Sequence, residues 1–153
     1  MRLLLFILLS FTTITVTQAT AQNYHKTVNP DNLSEVLHLN SGQKRVLLVY
    51  ASWCPHCQVI FPQLIEIERN HPGSIIAISM DNDLDRFKRF THKFPDLPID
   101  QLIWNKEYHL GASLYEQNIS FSGYIPFIAL IDKNGKVVKQ GHVSADDIKI
   151  FLQ

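Results

Sequence analysis

Val49-Tyr50-Ala51-Ser52-Trp53-Cys54-Pro55-His56-Cys57 joins two segments of different character. Before it, Arg45 to Ala51 is an unbroken β-prone run, which suits a central strand buried on both faces. After it, residues 54–70 carry Val59, Ile60, Leu64, Ile65 and Ile67 at helical spacing. The two cysteines therefore stand where a buried strand hands over to a helix. The first helical turn presents unsatisfied N–H groups and the positive end of the helix dipole, and both favour a thiolate. The thiolate is the nucleophilic form, and such sites lower a thiol pKa from ~8.5 to as little as ~3.5–7.5. A spacing of three puts Cys57 one turn after Cys54, close enough to close a ring. Pro55 and His56 lie between them, and His56 as an imidazolium adds a second positive charge near Cys54.

The rest of the composition narrows the function. The chain has 153 residues, 46% hydrophobic and 18% charged, a length that argues for one domain. Lys and Arg number 14 against 14 Asp and Glu, which excludes a nucleic-acid binder held by counterion release and equally a polyacidic tail. The apolar share supports a packed core without disulfide staples or a metal nucleus. Cys54 and Cys57 are the only cysteines. A zinc half-site would need two more ligands, and His25, His38, His71, His92, His109 and His142 show no ligand spacing and read as surface residues. A purely structural disulfide here closes too short a loop to constrain the unfolded chain much. A redox pair is the strongest interpretation, with no metal and no organic cofactor implied.

The N-terminus has the order of a secretory signal. Met1-Arg2 is a positive start, Leu3 to Leu9 is apolar, and Ala19-Thr20-Ala21 offers a small-residue cleavage site. The apolar stretch is short for a membrane span, which needs ~20 residues. Residues 1–21 are expected to be a signal peptide, with an uncleaved anchor as the alternative. Residues 22–153 are then one domain outside the cytoplasm, periplasmic or secreted, where disulfides persist.

Along that domain a first helix carries Leu33, Val36, Leu37 and Leu39, with Asp31 or Asn32 as cap and Ser41-Gly42 as its end. Pro62 should kink the helix over 54–70, and Glu66 and Glu68 read as solvated residues of it. Residues 74–80 form a second buried strand. Leu84, Phe87, Phe90 and Phe94 mark a helix with Arg86, Lys88, Arg89 and Lys93 outside. Residues 96–104 are a loop with at most a short strand, and 107–116 a short helix. Phe127 to Asp132 and Val137 to Gly141 pair as a hairpin across Asn134-Gly135, and Ser144 caps a last helix. This order implies an α/β fold, a mixed sheet with helices on both faces.

The strand, the WCxxC segment and the helix together resemble the active-site segment of the thioredoxin superfamily, and the likeness spans roughly residues 30–153. Pro62, five residues after Cys57, is similar to that family's helix kink. Ile125-Pro126, just before the strand from Phe127, resembles its cis-proline, which faces the disulfide and exposes the preceding backbone to an extended client peptide. The resemblance implies a thioredoxin-like fold in which Ile125 and Pro126 contact the client; Trp53 beside the pair, and Tyr124 and Phe127 flanking Pro126, either contact the client as well or simply pack. Cys-Pro-His-Cys resembles the dipeptide of the oxidant DsbA. The interval from Cys57 to Pro126, however, is too short for that protein's helical insertion. It exceeds the minimal thioredoxin interval by about a helix-and-strand unit, which resembles the TlpA/ResA-like extracytoplasmic thioredoxins. Two features depart from the family. Leu48 occupies the position of the thioredoxins' buried carboxylate, and Ile60 and Phe61 stand where ResA-like proteins have a glutamate. The implied activity is thiol–disulfide exchange with cysteine-containing client proteins, Cys54 as nucleophile and Cys57 resolving, and a redox partner recycling the pair. The alternative is a binding or assembly module with incidental redox chemistry.

Overall fold

The structure, a computed structural model, describes residues 25–39, 41–94 and 96–153, so the signal segment expected over residues 1–21 lies outside the described residues. All six residues of the central strand β2 (Arg45–Tyr50; in chain order the second strand, after β1, Lys26–Val28) are buried, as its continuous apolar run requires. Because successive side chains of a strand point to opposite faces, Val46, Leu48 and Tyr50 enter one core cluster while Leu47 and Val49 enter another.

Helix α1 (Pro30–Leu37) leads into β2, and α2 (Pro55–Asn70) leaves it for β3 (Ile75–Ser79), which lies parallel to β2. Then come α3 (Leu84–Thr91), β4 (Leu102–Trp104), α4 (Leu110–Glu116), β5 (Phe127–Ile131), β6 (Val137–Gly141) and α5 (Ala145–Leu152). The sheet order is β1-β4-β3-β2-β5-β6, with β5 antiparallel to β2 and β6 antiparallel to β5. On one face α2, α3 and α5 bury Phe61, Leu64, Phe87, Phe90 and Ile148. On the other, α1 and α4 bury Leu33, Leu37, Leu110 and Leu114. The mixed sheet with two helical layers is thus the expected architecture. The β4–α4 pair fills the interval expected to hold an extra helix-and-strand unit.

Several local expectations need correction. The cap of α1 is Asn29, not Asp31 or Asn32: its Oδ1 accepts the Asn32 N–H at 3.2 Å, and Asn32 Oδ1 accepts the Asn29 N–H at 2.9 Å. Pro30 at the first helical position starts the helix there, since it has no N–H to leave unpaired. The helix stops at Leu37, where His38 turns left-handed at φ 49°, short of Ser41-Gly42. Helix α4 begins at Leu110 because His109 Nδ1 accepts the Ala112 N–H at 3.2 Å and so caps it. His25 is half-buried, edge-on to Phe87, and not a plain surface residue. Glu68 is not solvated. It is buried, and its carboxylate accepts the N–H of Gly73 and, at 2.7 Å, that of Ile75, fastening the end of α2 to the start of β3. Glu66 is exposed as expected.

Candidate active site

Cys54 is the N-cap of α2 and is paired with Cys57, their Cα atoms 5.2 Å apart. Caps usually offer an oxygen to the first free N–H groups of a helix. Here a sulfur does so, as Cys54 Sγ takes the Cys57 N–H at 3.2 Å. Reduction would leave a Cys54 thiolate in that same position, against an N–H donor and the positive end of the dipole. Cys57 has no exposed surface and Cys54 only 4%, so the first sulfur alone is open to attack. Pro55 and His56 are exposed on the first turn, and Trp53 stands half-exposed just before the pair.

The antiparallel pairing of β2 with β5 sets Val49 opposite Phe127, which carries the segment before Phe127 up to the disulfide. Cys54 Sγ lies 3.7 Å from the Ile125 carbonyl oxygen. A disulfide sulfur has no proton, so this is a packing contact that becomes a hydrogen bond only in the thiol form. The Ile125–Pro126 peptide bond is cis, as the resemblance implies. Ile125 and Pro126 are half-buried and Tyr124 is exposed. Between this loop and α2 runs a recess of about 720 Å³, walled by His56, Val59, Ile60, Tyr124, Pro126 and Val143. Phe127 borders it too. Yet its ring is buried in the opposite core, 5.2 Å from the centroid of Phe121, so packing is its principal role.

One residue of the site has no counterpart in the sequence reading. Asp81, buried just beyond the end of β3, accepts the Ser52 N–H at 2.8 Å and the Ser52 and Ser79 hydroxyls at 2.6 Å each. Gln58 Nε2 donates to the Ser52 carbonyl at 2.7 Å. The turn ahead of Cys54 is therefore gripped on both its N–H and its C=O side. Burial, and secondarily the Asp81 charge, push the Tyr50 phenol well above its ordinary range, so it stays protonated. The partner of Asp81 lies 29 residues away in sequence, and no local pattern points to it. Leu48, at the position where a carboxylate was sought, is fully buried in the cluster that holds Cys57. Among the described residues, no group of three His, Cys, Asp or Glu side chains is placed to hold a metal ion.

A strand, a helix-capping disulfide and a facing cis-proline define a thioredoxin-type site. A thioredoxin-like family model matches residues 42–137, and the chain belongs to that family. Over 129 residues it is 28% identical to protein disulfide isomerase-like 1-1 of Arabidopsis thaliana, covering 81% of this chain and 24% of that protein. The chain spans about a quarter or less of the length of the curated relatives it matches. Among solved structures it resembles a thiol:disulfide interchange protein of Chlorobium tepidum, with a TM-score of 0.60 at 18% identity over 74% of this chain and 79% of that one. It also resembles the exposed lipoprotein thioredoxin of Streptococcus pneumoniae, with a TM-score of 0.57 at 24% identity over 76% and 87%. At such identities these likenesses speak for the fold.

Proposed function

We propose that this chain is a thiol–disulfide oxidoreductase acting on cysteine-containing exported proteins, outside the cytoplasm. The carrying observation is the Cys54–Cys57 disulfide at the N-terminus of α2, with Cys54 Sγ on a backbone N–H and facing the Ile125 carbonyl. When the pair is reduced, the Cys54 thiolate attacks a client disulfide, forms a mixed disulfide and expels one client thiolate. Cys57, losing its proton, then attacks Cys54 and expels the second client thiolate, so two electrons pass from protein to client. In the opposite direction a client thiolate attacks Cys54 and Cys57 leaves as a thiolate; a second client thiolate then attacks the client sulfur of the mixed disulfide, expels the Cys54 thiolate and closes the client's own disulfide, so two electrons pass from client to protein. The exposed Trp53 and Tyr124 and the backbone at Ile125, opened by Pro126, support a role in seating an extended client. A separate redox partner returns the pair to its starting state. The leader-like pattern of residues 1–21 supports the extracytoplasmic location.

Insulin-disulfide reduction by dithiothreitol tests the activity: turnover above background is expected, and none with Cys54→Ala. A pure binding module should show no turnover above the dithiothreitol background. In the native compartment Cys57→Ala should accumulate covalent, dithiothreitol-sensitive complexes, whereas Cys54→Ala should not. If Cys57→Ala traps nothing while the unmodified protein turns over, Cys54 is not the nucleophile.

A further inference from the structure

Trp53, beside the redox pair, also borders a second recess whose lining shares no residue with the one at Tyr124. Arg86, Arg89 and Lys93 follow one another at spacings of three and four, so α3 and its extension carry them on one face. All three are exposed. With Trp53, Gln58 and Phe90 they line a recess of about 430 Å³. Among the described residues the two ion pairs are Lys139–Asp147 and Lys149–Asp146, so none of the three cations has a carboxylate at salt-bridge distance. Asp83 caps α3 by accepting the Arg86 N–H at 3.0 Å, and that bond, more than the charges of Arg86 and Arg89, holds its carboxyl low. Asp85 stands four residues before Arg89 and so borders the stripe, without a salt bridge to it. Residues 83–93 still hold Arg86, Lys88, Arg89 and Lys93 against Asp83 and Asp85, a local excess of positive charge on a chain with 14 charges of each sign.

We propose that this stripe docks an acidic segment flanking the reactive cysteine of the client, whose neighbouring apolar side chain rests on Trp53. The proposal deepens the oxidoreductase reading and rests on it. Charge complementarity sets the sign of the partner, and the shared residue Trp53, adjacent to Cys54, sets its place beside the exchanging sulfur. Nucleic acids and lipid surfaces are bound through broader basic fields than three cations on a neutral chain. Complementary charge raises encounter rates by 10- to about 1,000-fold at low salt and fades as salt screens it.

The test uses the reduced full chain and two cysteine peptides, each carried as a mixed disulfide with thiopyridine. One peptide has glutamates flanking its cysteine, the other glutamines. Cys54 attacks the peptide sulfur and thiopyridine leaves. Cys57 then displaces the peptide thiolate and closes the protein disulfide, so two electrons reach the peptide disulfide. At low salt the glutamate peptide should react about ten-fold faster, and the advantage should vanish near 1 M salt, where the screening length is about 3 Å. Arg86→Glu with Arg89→Glu should reverse the preference, read as the ratio of the two peptides' rates within the same variant so that any change in Cys54 reactivity common to both cancels. Equal rates for the two peptides, or an unchanged preference in the double variant, would overturn the proposal and leave the oxidoreductase reading intact. No reaction with either peptide would overturn both. Equal peptide rates together with retention on anionic vesicles that the double variant loses would assign the stripe to a membrane surface instead.

Discussion

An imidazolium at His56 and a carboxylate at Asp81 would act on the Cys54 thiolate with opposite signs. His56 sits exposed on the first turn of α2, and Asp81 lies buried behind the Ser52 turn. A cation near Cys54 stabilises its thiolate, hence the reduced protein, and so raises the reduction potential. A carboxylate does the reverse. His56→Ala should therefore make the protein less oxidising, and Asp81→Asn more oxidising. At an effective dielectric of ~20, a unit charge roughly 8 Å away is worth about 2 kcal/mol, about a thirty-fold change in the equilibrium. Such a change is ~40 mV for a two-electron couple. The exposed His56, better screened by water, should shift it by less than that. Equilibration of both variants with glutathione reads the two signs together. Shifts in the same direction would show that the mutations merely loosen the turn.

At the scale of elements, the joint between α2 and β3 depends on Glu68. Its carboxylate accepts the Gly73 and Ile75 N–H groups, and Arg45 Nη1 donates to the Gly73 carbonyl, so one glycine peptide is bound on both sides. Glu68→Ala leaves the buried Ile75 N–H without an acceptor and frees the exposed Gly73 N–H to water, which costs about 1–3 kcal/mol. Glu68→Gln, retaining one acceptor oxygen, should cost less. Denaturant midpoints measure both. The redox potential should not move, because this joint is at the end of α2 away from Cys54. A potential that shifted with stability would mean that the helix transmits strain to the disulfide. Glu68 also shows where legibility ended. Its burial comes from a turn that folds back over the helix end, a tertiary fact that helical periodicity does not carry. The three-residue strand β1 escaped for a related reason, since it exists by pairing with β4, the short strand expected within 96–104. By contrast, the cysteine pair, the Asn134-Gly135 turn and the Ser144 cap were legible because each is a local backbone requirement written in a few adjacent residues, whereas the role of Pro126 was implied by the resemblance. The site was thus half-visible. The sulfurs and the proline could be read, whereas the Asp81–Ser52 clamp had to be seen.

On the scale of the whole molecule, β2 is a shared wall. Its odd and even residues feed two different cores, and its C-terminal end delivers Cys54 to the Ile125 carbonyl that β5 brings from the opposite direction. Neither core can come apart without removing one face of this strand, and the site fails with either. Unfolding should consequently be one cooperative transition, as is common where cores share an element. Leu33→Ala removes a fully buried side chain from the α1–α4 core, and Ile148→Ala does so in the α2–α3–α5 core. Each should cost about 2–5 kcal/mol. Fluorescence of the buried Trp104, which belongs to the first of these cores, and far-UV circular dichroism, which reports all helices, should shift together in both variants. In particular, Ile148→Ala should lower the Trp104 transition although the two residues lie on opposite faces of the sheet. A Trp104 transition that stayed in place while the circular dichroism split into two steps would show that the layers unfold separately, and β2 would then not couple them.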